Sequence, residues 1–423
     1  MCASGSAVEH LLAKEGVAGS IPVSRSNRTS KRNSWKFFRF IGVFENQKEK
    51  AMKVQNSKRA TGIDFLKLLA MLLIVISHTG PYYGTTYLPS ILNLRLATTD
   101  IQNIVLSLYV YMGQIGNCIF LVCSAYFLLE KDEVKINKVI RILADCLFFS
   151  LAFLAIFLCA GVELEPVTVL KQFFPTTFEY CWFVGCYLLL YLIHPMLNVI
   201  VRSLTQKNLL LVNLVGVFLY SILQMVLRDS FYYTRMVGFI LIYFLMAYSK
   251  MYLKNTSCKK KHNLCVLIVS TVLLVAMVAV TNVLGIYMDT FCEKVLHYCI
   301  FVNPFIILMA FSAFNLCKEW NIDNRVISVL ASVTLYMYII HENYLFANYA
   351  RPVVFEYIYQ TFTYECVALW ALLFAGICYV ASLLLGLTYK YTLGRAIGML
   401  CDKVAKGINV LGEKCYEKLK KWN

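Results

Sequence analysis

Apolar and polar positions alternate along this chain on one dominant scale. From about residue 62 onward, apolar runs of about 20 residues are separated by short polar connections. A helix rising 1.5 Å per residue needs about that length to cross the hydrocarbon of a bilayer. Ten such runs are predicted, over residues 62–80, 104–129, 139–161, 180–201, 208–227, 235–253, 263–285, 296–317, 326–348 and 366–389. The expected fold class is an all-α integral membrane protein of about ten transmembrane helices. The connections leave no room for a sizeable soluble domain, and no long-period repeat is visible. Residues 1–60 are polar and basic and read as a disordered N-terminal extension, with Met52 in MKVQNSKRATGIDFLK reading as the native start. Residues 61–390 form the membrane domain. In the basic tail, 391–423, the residues Ile397, Leu400, Val404, Ile408 and Leu411 recur at helical spacing, which predicts an amphipathic helix lying on the cytoplasmic membrane surface.

Composition strengthens this picture. Of 423 residues 59% are hydrophobic and only 15% charged, with a mean hydropathy of +0.64, which no soluble domain of this length requires. Most of the 16 cysteines sit inside apolar runs (Cys118, Cys123, Cys146, Cys159, Cys186, Cys265, Cys299, Cys378), where they act as small hydrophobes. There is no CxxC pair and there are only six histidines, so no metal site is expected. The net charge of +16 resembles a nucleic-acid binder only until the charges are placed. With both termini in the cytoplasm, 33 of the 40 Lys and Arg fall on the inner side, 6 on the outer, and Lys67 lies within the first run. That is the positive-inside asymmetry of a membrane protein, so the expected partner is membrane lipid and not nucleic acid.

Ionisable residues inside the apolar runs are the candidates for chemistry, because they are costly there. The first span, TGIDFLKLLAMLLIVISHT, carries Asp64, Lys67 and His78. Lys67 and His78 are eleven residues apart, and eleven steps of about 100° return to within about 20° of the starting direction. Asp64 neighbours Lys67 on the helix surface. A polar stripe results, unless Asp64 and Lys67 merely pair at headgroup level. In the ninth span Thr334, Tyr338 and His341 share a face, and Glu342 follows. Counted from the inner ends, His78 comes at about 24 Å and His341 at about 22 Å, so the two imidazoles are expected at matched depth in the outer half of the membrane. Lys135, Lys138 and Arg141 recur every three residues as the third span begins, suited to phosphate contact, with ordinary inner anchoring as the alternative. His194-Pro195 in the fourth span reads as a kink near its inner end, and Asn303-Pro304 as a second kink. Gly113-Gln114-Ile115-Gly116-Asn117 offers a possible helix break in the second span.

Together these phrases resemble the acyltransferase 3 family of multi-pass membrane O-acyltransferases. Its first span has an Asp, a basic residue three on and a His eleven later, as at Asp64, Lys67 and His78. Its FFxxSGYLL phrase is similar to Phe120 through Leu128, although Ala125 stands where Gly is usual. The basic pair after it is matched by Lys138 and Arg141, spaced differently from the common Arg-x-Arg. Trp182 through Leu197 is similar to the family's Trp-Phe-Leu…Tyr-Leu…Pro-x-Leu phrase, and Thr334, Tyr338 and His341 to its late Tyr-x-x-His motif.

The resemblance implies a transferase of the bacterial cytoplasmic membrane that moves an acyl group, acetyl above all, from cytoplasmic acyl-CoA to a hydroxyl of an envelope glycan or lipid-linked sugar. Acyl-CoA would be the donor substrate, with no cofactor held permanently. Lys138, Arg141 and Lys135 would hold its phosphates. His78 would act as general base, Asp64 would pair with Lys67, and His341 with Tyr338 would orient the acceptor or stabilise the oxyanion. Two other readings compete: a secondary transporter or flippase of similar span number, and an inactive family member serving as a scaffold.

Overall fold

The computed structural model describes residues 61–79, 101–178, 181–227, 234–253, 260–288, 291, 294–320, 323–361 and 366–422. The N-terminal extension, Met52 included, lies outside the described residues. Among the described residues every regular element is a helix, as a bilayer demands of backbone groups that find no water. Apart from the short helices Pro166–Lys171 and Lys294–His297 and the π-helical turn Phe346–Ala350, the elements are α1 (Thr61–Thr79), α2 (Ile101–Leu128), α3 (Ile136–Cys159), α4 (Trp182–Ser203), α5 (Gln206–Val226), α6 (Arg235–Tyr252), α7 (Lys260–Tyr287), α8 (Pro304–Lys318), α9 (Arg325–Ala331), α10 (Thr334–His341), α11 (Arg351–Thr361), α12 (Val367–Tyr391) and α13 (Leu393–Trp422).

Seven of these, α1 to α5, α7 and α12, are long and apolar enough to cross a membrane unaided. An eighth crossing arises if Arg325–His341 and Phe346–Tyr357, bent by 57°, count as one broken span. The other two predicted spans appear as helices of lesser reach, 18 residues in α6 and 15 in α8.

Three local expectations change. Asn303-Pro304 is a helix start and no kink: the Asn303 side chain accepts from the Phe305 N–H at 3.0 Å, and Pro304 takes the first helical position, where its missing N–H costs nothing. The 326–348 run is not one helix, since the chain turns at Ser332-Val333 and again after His341. The break considered at Gly113–Asn117 is absent, because α2 runs continuously from 101 to 128. Its glycines instead let α1 approach. A Cβ on Gly116 would stand 2.5 Å from the Ala70 carbonyl oxygen, and one on Gly113 would strike the Ser77 side chain.

Burial ranks the helices. About two-thirds of α1 and of α2 is buried (67% each), against 22% for α5 and α7, so the helix bearing the polar stripe sits at the centre. It packs on α2, α12, α9, α8 and α10. Two apolar clusters flank it. One draws on α2, α4, α6, α7 and α8, the other on α3, α4, α10 and α12, and α1 contributes to both. Outward faces keep large apolar side chains exposed, such as Leu211, Leu214 and Val272, as helices facing lipid do. The tail is a single 30-residue helix, α13, laid against α3 with Cys401 and Ala405 buried.

Candidate active site

Helices α1 and α10 bring His78 and His341 into contact. Nδ1 of His78 lies 3.0 Å from Nε2 of His341, with ring centroids 5.3 Å apart, and both rings are buried. The surrounding hydrogen bonds assign the tautomers. Nδ1 of His341 lies 2.6 Å from the Met337 carbonyl oxygen one turn back, so that nitrogen carries the proton and Nε2 presents a lone pair. His78 Nδ1 must then be the donor, shared between His341 Nε2 and the carboxylate of Glu342, which it also touches. In neutral His78 this leaves Nε2 unprotonated, the state a general base requires.

Glu342 is in turn held by Arg351. Nη2 of that arginine lies 3.5 Å from Glu342 Oε1 and donates to the His341 carbonyl at 2.6 Å. The chain bends by 57° between His341 and Phe346, and buried Arg351, just past the π-helical turn Phe346–Ala350, reaches the end of α10. The Tyr338 ring stands edge-on to His341, with centroids 5.9 Å apart.

A cavity of about 440 Å³ adjoins this cluster, with Lys67, Ser124, Lys138, Arg141, Thr334 and Tyr338 among its lining. Neither histidine lines it. It ends at Ile74, one turn before His78, and at Tyr338. Asp64 is buried against α9, where Oδ2 accepts from Ser328 at 2.9 Å and Oδ1 from Lys67 at 3.4 Å. The Lys67 ammonium also lies 5.4 Å from the Phe127 ring centroid. The carboxylate thus tethers a cation that is half-buried in the cavity wall.

Of the three cations expected on one face of the third span, two line the cavity. Lys138 donates to the Tyr187 hydroxyl at 2.6 Å and sits 4.3 Å over the Tyr191 ring. Arg141 holds both oxygens of buried Asp145 through Nε, at 3.0 and 3.1 Å, and Tyr389 donates to the same carboxylate at 2.6 Å. Lys135 departs from the expectation. The helix begins only at Ile136, so Lys135 is a capping residue outside the helical face, and its side chain is exposed. In the loop before it, burial and then repulsion from Lys138 and Lys135 lower the pKa of Lys131. A bound anion would relieve that crowding.

The loop before α3 is braced from α4. Asn198 donates to the carbonyls of Leu128 (3.1 Å) and Lys131 (2.7 Å) and accepts from Tyr243 at 2.6 Å. Pro195 lacks the N–H that would bond the Tyr191 carbonyl, and His194 Nδ1 takes that carbonyl at 2.5 Å. His194 is therefore structural.

Sequence reasoning missed Arg351 and gave Glu342 no part. Glu342 lies one residue past the periodic stripe, and Arg351 looked like an ordinary outer charge. Nor did spacing reveal a close group of three residues able to ligate a metal. His78, His341 and Glu342 bring one donor atom each within 4.8 Å of one another, from helices 263 residues apart in the chain.

An acyltransferase-domain family model matches residues 61–389, well over half of the chain. No curated protein and no solved structure matches it.

Proposed function

Because the chain belongs to the acyltransferase 3 family, we propose that it transfers an acyl group, acetyl in the simplest case, from cytoplasmic acyl-CoA to a hydroxyl of an envelope glycan or lipid-linked sugar. It does so in the bacterial cytoplasmic membrane, with ten spans and both termini inside. The observation that carries this reading is an oriented imidazole one turn beyond the end of a cavity whose walls carry three cations, Lys67, Lys138 and Arg141.

Acyl-CoA is a polyanion with a long neutral arm. Lys138 and Arg141 suit its phosphates, and the arm occupies the cavity past Lys67 toward Tyr338. The acceptor hydroxyl gives its proton to His78 Nε2 while its oxygen bonds to the thioester carbonyl carbon. The C–S bond then breaks, and the CoA thiolate leaves and takes up a proton from the imidazolium. Glu342 steadies the charged ring, as a carboxylate does behind a catalytic histidine. Tyr338 or Lys67 stabilises the oxyanion.

In proteoliposomes loaded with an acetyl-CoA donor, wild-type protein should release CoA in step with acetylation of added envelope glycan. His78→Ala should insert and fold normally and release CoA about 10²–10⁴-fold more slowly. Retention of full transfer by that variant removes the base assignment. The broken span, Arg325–His341 with Phe346–Tyr357, is a feature shared with transporters. Substrate flux without CoA release would favour that reading.

A further inference from the structure

We propose that His78, His341 and Glu342 form a three-ligand site for a divalent transition metal of the zinc type, filled in competition with the hydrogen-bonded arrangement described above. The competition half rests on the general-base reading, whereas the binding half stands on geometry alone.

Two imidazoles and one carboxylate are a donor set that zinc and cobalt accept, leaving a fourth position open. All three donor atoms lie within 4.8 Å of one another, and the two ring nitrogens are 3.0 Å apart. Ligands about 2.0–2.1 Å from a tetrahedral ion stand about 3.3 Å apart, so the rings need open by only a few tenths of an ångström, while the Glu342 carboxylate, which touches His78 Nδ1, must draw back further. The supporting contacts are those of a metal site. The far nitrogen of His341 donates to a backbone carbonyl at 2.6 Å, which fixes Nε2 as the ligand atom. The far oxygen of Glu342 is held by Arg351, leaving the near one for the ion. The fourth position would take a water or a small anion.

Binding has a chemical consequence at His78. The ion takes the Nδ1 lone pair, so the ring's single proton must sit on Nε2. The ring stays neutral, no net proton is released, and the nitrogen that would accept the acceptor's proton is blocked. A bound ion therefore stops transfer reversibly, and a metal-free enzyme is the active one.

Cobalt(II) is the probe, because a tetrahedral site gives intense visible absorption. Titrating Co2+ into purified, monodisperse full-length protein in nanodiscs should produce these bands at one equivalent. Glu342→Gln and His341→Gln, checked for helicity and monodispersity, should weaken binding at least tenfold, while His262→Gln on the exposed start of α7 leaves it unchanged. Zn2+ should displace the cobalt and inhibit CoA release, with a chelator restoring it. Absence of tetrahedral bands in folded wild-type protein overturns the site, as does equal binding by Glu342→Gln and wild type. Full transfer activity with the site saturated overturns the competition half. A wild-type protein that binds cobalt and has no transfer activity counts against the enzymatic reading and leaves the metal site standing.

Discussion

At the scale of single residues, the decisive feature is that hydrogen bonds assign each nitrogen of the two histidines a role. His341 is fixed by the Met337 carbonyl, and His78 is fixed by His341 and Glu342. Removing the proposed base by His78→Ala should lower turnover by about 10²–10⁴-fold with little change in the KM for acyl-CoA, read as CoA release in proteoliposomes. Glu342→Gln keeps the shape and loses the charge, so kcat should fall by about 10²-fold or more while KM holds, and an equal loss in both would mark a binding role instead. Arg141 and Lys138 should behave differently although both line the cavity. Lys138→Ala should chiefly raise the KM for acyl-CoA. Arg141→Ala also strands buried Asp145, a loss of about 3–5 kcal/mol in stability by thermal unfolding in detergent. The double substitution Arg141→Met with Asp145→Leu should recover the stability without recovering donor affinity. Asp64, Lys67, His78, Tyr338 and His341 were all legible from periodicity. Arg351 was not, because a charge in a connection looks the same in sequence whether it faces water or folds back into the bundle.

At the scale of elements, the helices follow from apolar run length, and the sequence gets most of their limits within a few residues. Two of the three misread places involved Pro or Gly, which are ambiguous by nature, and the third, the turn at Ser332-Val333, carries neither. Pro195 lies inside α4, where a histidine satisfies the freed carbonyl, whereas Pro304 starts α8. His194→Phe should therefore destabilise the fold by about 1–3 kcal/mol, by leaving the Tyr191 carbonyl buried without a partner. Glycines at 113 and 116 mark a helix crossing. Gly116→Leu should wedge α1 from α2 and abolish the folded species, seen as loss of a monodisperse peak, while a substitution at Gly376, where an added Cβ meets nothing within 4 Å, should be tolerated. In the tail, Gly394 and Gly398 leave room for the Arg141 guanidinium, so α13 borders the cation that lines the cavity. Nothing in the periodicity of 391–423 hinted at that contact, because the pattern describes the apolar stripe and not the small residues beside it.

At the scale of the whole molecule, the proposed ten-span topology with inner termini has a test that needs no engineered residues. A membrane-impermeant maleimide should label exposed Cys415 in inside-out vesicles only, and exposed Cys159, at the end of α3, in right-side-out cells only. Labelling of both from one side would end that topology. The sequence alone determined what solvent the chain lives in, that its elements are helices, and which rare ionisable groups they carry. These are properties of composition and of spacing along one helix, and spacing along one helix is fixed by 1.5 Å and about 100° per residue. Only the tertiary structure decided that α1 is the central helix, that the cavity stops one turn short of the histidines, and that Glu342 and Arg351 complete the cluster. Each of those depends on how helices far apart in the chain cross and where a broken one turns. That is settled by packing between faces, and no single stretch of residues encodes it.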